Sequence, residues 1–97
     1  MYFDCGTMGL FDDLDLPTHT AFQLVAPAAR IAAEQLDAQL LATGLYLTYG
    51  LARMSDTTEV SPELDSYWAT LSSAVARHTL GGDLELYWSE LKSWYRR

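Results

Sequence analysis

The side chains that could carry nucleophilic or acid–base chemistry are few in this sequence and far apart. The two histidines are His19, which lies among threonines, and His78, which falls on an apolar stripe. The one cysteine, Cys5, has acidic neighbours, which disfavour the thiolate that a nucleophile needs. A covalent catalyst requires a nucleophile beside a base that a third group orients. No local pattern supplies that arrangement, so we expect a protein that is not an enzyme.

Three aspartates near the start, Asp12, Asp13 and Asp15, are the only cluster of metal-ligand types. A calcium loop also needs alternating oxygen ligands, a central glycine and a closing glutamate, and these are missing. Zinc-ligand spacing and a glycine-rich phosphate loop are missing as well. We therefore expect no metal and no cofactor.

Composition narrows the class of protein further. The 97 residues include 13 acids and 6 bases, giving a net charge of −7, and 49% of the residues are apolar. This apolar share is typical of one folded domain and is too high for a disordered chain. The negative charge argues against direct binding to a nucleic-acid backbone. The lone cysteine excludes a disulfide scaffold.

The chain divides into residues 1–17, an irregular acidic and apolar arm, and residues 18–97, a single helical domain. The longest uncharged stretch, residues 38–52, has 15 residues, whereas a membrane span needs about 20. The first residues lack the basic and apolar regions of a secretory signal. We expect no membrane span and a cytoplasmic location.

The predicted fold is all-α, a small bundle of three main helices at about 27–54, 62–80 and 84–96. Pro27 either begins the first helix or kinks a longer one. A continuous helix over residues 27–54 would be about 42 Å long, more than the roughly 32 Å diameter of a compact monomer of this size. Either the helix breaks near Gly44 or Gly50, or it extends onto a second chain. We favour a homodimer, with self-association through Leu40, Leu45, Leu47 and Leu51.

The last two helices carry related sequences. Residues 63–73 align with residues 83–93 at an offset of 20, with the same Leu, Tyr, Trp, Leu and Ser. Ser61 and Pro62 form a typical helix start, and Gly81 with Gly82 is predicted to end the second helix. The shared Tyr-Trp pattern predicts that both helices present one aromatic ridge to the core.

Two segments have the composition of contact sites for another protein. The arm interleaves acids with apolar residues, a pattern that docks into grooves, and the chain ends in Trp, Tyr and Arg, the residue types common at binding hot spots. The predicted partner-binding residues are Leu10, Phe11, Asp12, Asp13, Asp15, Trp94, Tyr95, Arg96 and Arg97.

These features together indicate a small acidic helical protein that acts by protein–protein binding. One alternative is a phage-type inhibitor of a nucleic-acid-handling defence complex, which would use its acids to mimic nucleic acid. A second alternative comes from residues 26–54, whose Ala-Pro start and Leu-Tyr-Leu-Thr-Tyr-Gly-Leu end resemble phasins in helix composition. That resemblance covers under a third of the chain, and the Tyr-Trp helices depart from it. It implies a helical coat protein of polyhydroxyalkanoate granules.

Overall fold

Four α-helices make up the part of the chain that the computed structural model describes, residues 17–97. They are α1 (Thr18–Ala33), α2 (Ala38–Met54), α3 (Pro62–Ala76) and α4 (Gly82–Tyr95). No strand occurs within these residues. The all-α class is confirmed, whereas the prediction of three main helices is corrected to four. The predicted arm lies outside the described residues, apart from Pro17.

The predicted helix over residues 27–54 is wrong, because the chain turns between Ala33 and Ala38 instead of near Gly44 or Gly50. The turn contains neither glycine nor proline. Instead, the Asp37 carboxylate accepts a hydrogen bond from the backbone N–H of Leu40 at 3.0 Å and thereby caps α2. On the other side, the Gln35 amide donates to the carbonyl oxygen of Ile31 at 2.9 Å. Side-chain caps therefore replace the helical hydrogen bonds lost at this turn.

The close approach of α1 to α2 explains why Gly44 lies inside a helix. A β-carbon added at Gly44 would lie 2.6 Å from the Ala32 β-carbon and 2.9 Å from its α-carbon. Thr48 is fully buried nearby, and its hydroxyl donates to the Gly44 carbonyl oxygen at 2.7 Å. Gly44 is thus a packing residue rather than a helix breaker. Pro27 lies in the middle of α1, so it does not begin a helix.

The start of α3 agrees with the prediction, and its end does not. The Ser61 hydroxyl accepts a hydrogen bond from the Leu64 N–H at 3.1 Å, with Pro62 as the first helical residue. However, α3 ends at Ala76 rather than near residue 80. Gly82, with φ of 55°, is the first residue of α4 instead of a cap on α3. The left-handed glycine therefore shapes the entry into α4.

The helices form two layers, and the molecule measures 34 × 34 × 21 Å. The first layer is the α1–α2 hairpin; α3 packs against α1, and α4 packs against α2. Trp68 of α3 stacks on Trp88 of α4 with ring centroids 5.3 Å apart, so α3 and α4 lie on the same side of the hairpin. The 21 Å extent matches two layers of helices, each about 10 Å thick. Within residues 17–97, no helix is both long and apolar enough to cross a membrane.

Candidate protein-binding surface

The predicted contact residues at the C-terminus help to hold the domain together. The Trp94 indole N–H donates to the backbone carbonyl of Thr57 at 3.0 Å. Tyr95 is buried, and its ring lies edge-on to Trp68 at 6.1 Å. Burial raises the pKa of the Tyr95 phenol to about 12. Tyr95 is therefore removed from the predicted contact surface, because its ring belongs to the core.

The last two arginines differ in their surroundings. Arg97 forms an ion pair with Asp65 at 2.8 Å, and its guanidinium lies 5.3 Å above the Trp68 ring. Arg96 is exposed and adopts a left-handed conformation just after α4. Arg97 thus ties the end of the chain to α3, and Arg96 is left at the surface.

The predicted arm residues Leu10, Phe11, Asp12, Asp13 and Asp15 lie outside the described residues, and their role stays a prediction. The nucleic-acid-mimic alternative depends strongly on this segment, because it holds four of the 13 acids. Residues 17–97 contain nine acids and six bases, a net charge of −3.

One cleft brings together the residue types of a hydrolytic site. A space of about 250 Å³ lies between the start of α1 and the segment after α2, lined by Thr18, His19, Phe22, Ser55, Thr57 and Glu59. The His19 imidazole lies 3.5 Å from the hydroxyl of its neighbour Thr20. The Ser55 hydroxyl donates to the Ala52 carbonyl oxygen. The serine proton is therefore engaged with the backbone, and the cleft does not form a nucleophile–base pair.

A second groove, of about 280 Å³, lies between the N-terminal ends of α2 and α4. Its lining mixes apolar and polar residues, and Asp83 is its one charged residue. Among residues 17–97, no three metal-ligand side chains cluster.

The most distinctive surface lies on the first layer. Large aliphatic side chains are exposed along α1, along α2 and in the turn between them. We call these residues the outer face: Leu24 (40% exposed), Ile31 (53%), Leu36 (80%), Leu40 (55%) and Leu47 (44%). Leu24 and Ile31 are seven residues apart, as are Leu40 and Leu47, so each pair forms one stripe along its helix.

Helical geometry places both stripes on the side of the hairpin away from the second layer. Two residues correspond to about 200° of rotation around a helix. In α1, Leu24 and Ile31 each precede a buried alanine, Ala26 and Ala33, by two residues. In α2, Leu47 precedes Tyr49 by two residues, and the Tyr49 hydroxyl donates to Glu90 of α4 at 3.2 Å. Because the buried sides face α3 and α4, the exposed stripes face outward.

In α1 the small residues are buried, and the large aliphatic residues are exposed. Its buried residues are small: Ala21, Val25, Ala26, Ala29, Ala32 and Ala33. Its two largest aliphatic residues, Leu24 and Ile31, are exposed. Burial of a leucine or isoleucine side chain stabilises by about 1.5–3 kcal/mol, far more than burial of an alanine methyl group. Within residues 17–97, about half of each of these two side chains therefore remains exposed to water.

The two helices that carry most of the outer face lack acids, and the acids near it, Glu34 and Asp37, lie in the turn on either side of Leu36. Neither α1 nor α2 contains an acidic residue, although the chain carries a net charge of −7. The only charged residue of α2, Arg53, lies over the Tyr49 ring at 5.8 Å, on the side toward α4. Depletion of charge around clustered aliphatic residues is typical of protein interfaces.

Leu86 in α4 shows what an isolated exposed leucine looks like in the same molecule. Its side chain is 46% exposed, similar to the 44% of Leu47. However, its helix also contains Asp83, Glu85 and Glu90. Single exposed apolar residues of this kind are normal on protein surfaces. The outer face differs because four of its five aliphatic residues form stripes on helices that contain no acid.

Self-association through Leu40, Leu45, Leu47 and Leu51 stays a prediction, and two of these residues belong to the outer face. Leu40 and Leu47 are exposed, as a self-association surface requires, and Leu51 is half-buried four residues beyond Leu47. Leu45 is fully buried in the monomer, so it is removed from the predicted surface. The prediction missed Leu24, Ile31 and Leu36. The absence of acids from α1 was the signal that could have identified Leu24 and Ile31, whereas Leu36 lies between Glu34 and Asp37 and carries no such signal.

No protein-family model matches the chain, and neither a curated protein nor a solved structure matches it. The surface is therefore interpreted from its own geometry and chemistry.

Proposed function

We propose that this protein is a non-enzymatic helical module that acts by binding a protein chain through the outer face. The observation that carries the proposal is the group of five large aliphatic side chains, 40–80% exposed, four of which lie on helices without acids. A contiguous apolar surface of this kind in water favours association, because burying it releases its hydration water.

The second layer explains why binding would use the first layer. Tyr87, Trp88 and Tyr95 are buried. Trp88 and Tyr95 pack on Trp68 of α3, and Tyr87 packs on Tyr46 of α2. Arg97 and Lys92 lie over the Trp68 and Trp88 rings. The aromatic surface of α3 and α4 is therefore largely used within the domain. The outer face has no comparable cover among residues 17–97.

Site-specific photo-crosslinking tests this function directly. A benzophenone amino acid is placed at Leu47 in one variant and at Leu86 in another, and each is expressed in the cells that make the protein. Because the two leucines are 44% and 46% exposed, they are matched for general accessibility. We expect a discrete protein adduct from position 47 and none from position 86. An absence of adducts at position 47 would contradict the proposed function.

A granule-coat function is the second candidate, and the same face supports it. An uncharged surface of leucine and isoleucine also adsorbs to hydrophobic particles, as the resemblance to phasins implies. Partition of the purified protein onto polyhydroxyalkanoate particles would distinguish the two functions. The coat function predicts that Leu47→Arg reduces this partition and Leu86→Arg does not. It also predicts particle adsorption without a discrete protein adduct at position 47.

A further inference from the structure

We propose that the occupant of the outer face is a second copy of this chain, so that two α1–α2 hairpins pack face to face around a two-fold axis. This inference rests on the proposed function and names its partner. The result is a four-helix interface between copies, with α3 and α4 of each copy on the outside. Helix layers stacked in this way are a common solution for exposed apolar helix faces.

Charge favours a second copy over an acidic or basic partner. In a two-fold interface each residue patch meets its own equivalent, so a charged patch would face a like charge. The outer face limits this repulsion because α1 and α2 contain no acid, and Arg53 lies toward α4. The charges left near the face have both signs: Arg30 in α1, and Glu34 and Asp37 in the turn. Five of the nine acids in residues 17–97 lie in α3 and α4, which the dimer keeps apart.

The shape of the hairpin also suits a second copy. The helices α1 and α2 have 16 and 17 residues, which corresponds to about 25 Å each. Two helices side by side cover about 20 Å in width, so each copy offers roughly 500 Å² of face. Two copies then bury roughly 1,000 Å² or more, which reaches the lower range of specific interfaces. We therefore expect a dimer that dissociates on dilution.

The close packing of α1 on α2 makes the outer face rigid. At Gly44 and Ala32 the two helices approach so closely that an added β-carbon would clash. The hairpin consequently presents its leucines from two helices held at a fixed separation. A preformed surface loses little conformational entropy on association.

Solution mass measured by light scattering after size exclusion tests the dimer. The wild-type chain is measured from micromolar to millimolar concentration, with a reductant so that Cys5 cannot link two chains. We expect about 22 kDa at high concentration, twice the chain mass of 10.9 kDa, and a fall toward the monomer on dilution. A monomer across the whole range would overturn the inference.

Two variants at similarly exposed leucines test whether the outer face is the dimer interface. Leu40 is the third residue of α2, where an acid complements the helix N-terminus, so Leu40→Glu leaves the folded monomer intact. We expect it to weaken dimerisation at least tenfold, because two glutamates would enter an apolar interface. Leu86→Glu, at a similarly exposed leucine, should leave the dimer unchanged. Circular dichroism confirms folding of both variants, and Leu47→Arg provides a second test within the face.

The outcomes separate this inference from the proposed function. If Leu40→Glu and Leu47→Arg remain as dimeric as wild type, the outer face is not the dimer interface, and the inference fails. If the wild type is monomeric but the crosslinker at position 47 yields an adduct with a different chain, the binding function stands and the second copy is excluded. An adduct of about 22 kDa at position 47, together with monomeric Leu40→Glu, supports both.

Discussion

The two layers of this protein have the same length and opposite chemistry. Residues 18–54, which form the α1–α2 hairpin, contain four charged residues in 37, whereas residues 61–97, which include α3 and α4, contain nine in 37. The hairpin packs internally through alanine and glycine and exposes leucine and isoleucine. The second layer buries tryptophan and tyrosine and exposes acids. Net charge therefore says little about a given face, because in this acidic chain both helices of one layer lack acids.

The size of the buried residues accounts for the different separation of the helices in the two layers. Alanine and glycine between α1 and α2 let two helix backbones approach closely. Aromatic rings between α3 and α4 hold those helices apart and bridge them through the Trp68–Trp88 stack. Since small residues fill the inside of α1, its large aliphatic residues lie outside. Each prediction below changes one side of this contrast.

The largest stability effect should come from the aromatic layer. Trp88 is buried, stacks on Trp68 and lies beneath the Lys92 ammonium group at 5.5 Å. We expect Trp88→Ala to lower the free energy of unfolding by about 3–5 kcal/mol, because it leaves a cavity between α3 and α4. Urea denaturation measures the change. Trp88→Phe is the control, since it keeps a ring and should lose clearly less; equal losses would contradict the role of stacking.

The close contact between α1 and α2 should be sensitive to one methyl group added at Gly44. In Gly44→Ala the new β-carbon would lie 2.6 Å from the Ala32 β-carbon, so the helices must separate. We expect a loss of about 1–3 kcal/mol from overpacking, against a gain in helix propensity of about 1 kcal/mol. Thermal unfolding measures the balance. Gly81→Ala, where an added β-carbon meets nothing within 4 Å, should be nearly neutral. A stabilised Gly44→Ala variant would show that the crossing tolerates a wider spacing.

Alkaline pH should weaken the second layer through Tyr95. Burial raises the pKa of this phenol from 10.0 to about 12 in the folded protein. Tyr95 is therefore ionised more readily when unfolded, and its contribution is complete below pH 10 and lost as the pH rises toward 12. Urea denaturation across this range should show falling stability. Tyr95→Phe should fall less steeply, and the burial of Tyr95 would be contradicted if both chains declined in parallel.

The smallest effect should come from the ion pair at the end of the chain. Arg97 and Asp65 are 34% and 62% exposed, so water screens their attraction. A double-mutant cycle with Arg97→Ala and Asp65→Ala should give a coupling free energy of about 0.2–1 kcal/mol. The coupling free energy should be smaller in high salt. A coupling free energy that does not change with salt would contradict an ion pair as its source.

Most of the secondary structure could be predicted, and the position of the first turn could not. Helix-forming composition, the Ser61-Pro62 start and the apolar spacing of the Tyr-Trp helices are local signals that act within a few residues. The turn at residues 34–37 depends on Asp37 and Gln35, which also occur inside helices. Their capping hydrogen bonds compete with helix continuation. Packing of α1 on α2 decides that competition, and it is a contact between distant parts of the chain.

The candidate surface was likewise predictable only in part. The apolar spacing of Leu40 and Leu47 marks a helix face, but the same spacing describes a buried face. Leu45 has similar chemistry and is fully buried, because it lies on the side of α2 that meets the core. The orientation of each face therefore required the arrangement of the four helices.

The sequence alone determined the all-α class, the helix cap at Ser61, the shared aromatic pattern of α3 and α4, and the absence of acids from residues 18–33 and 38–54. These properties depend on residue type and on spacing along the chain. The tertiary structure alone decided that Gly44 lies in a helix against Ala32, that Tyr95 is buried, and that Leu24 and Ile31 face outward. Those properties depend on which surfaces of the helices meet, because burial is a relation between elements and not a property of one residue.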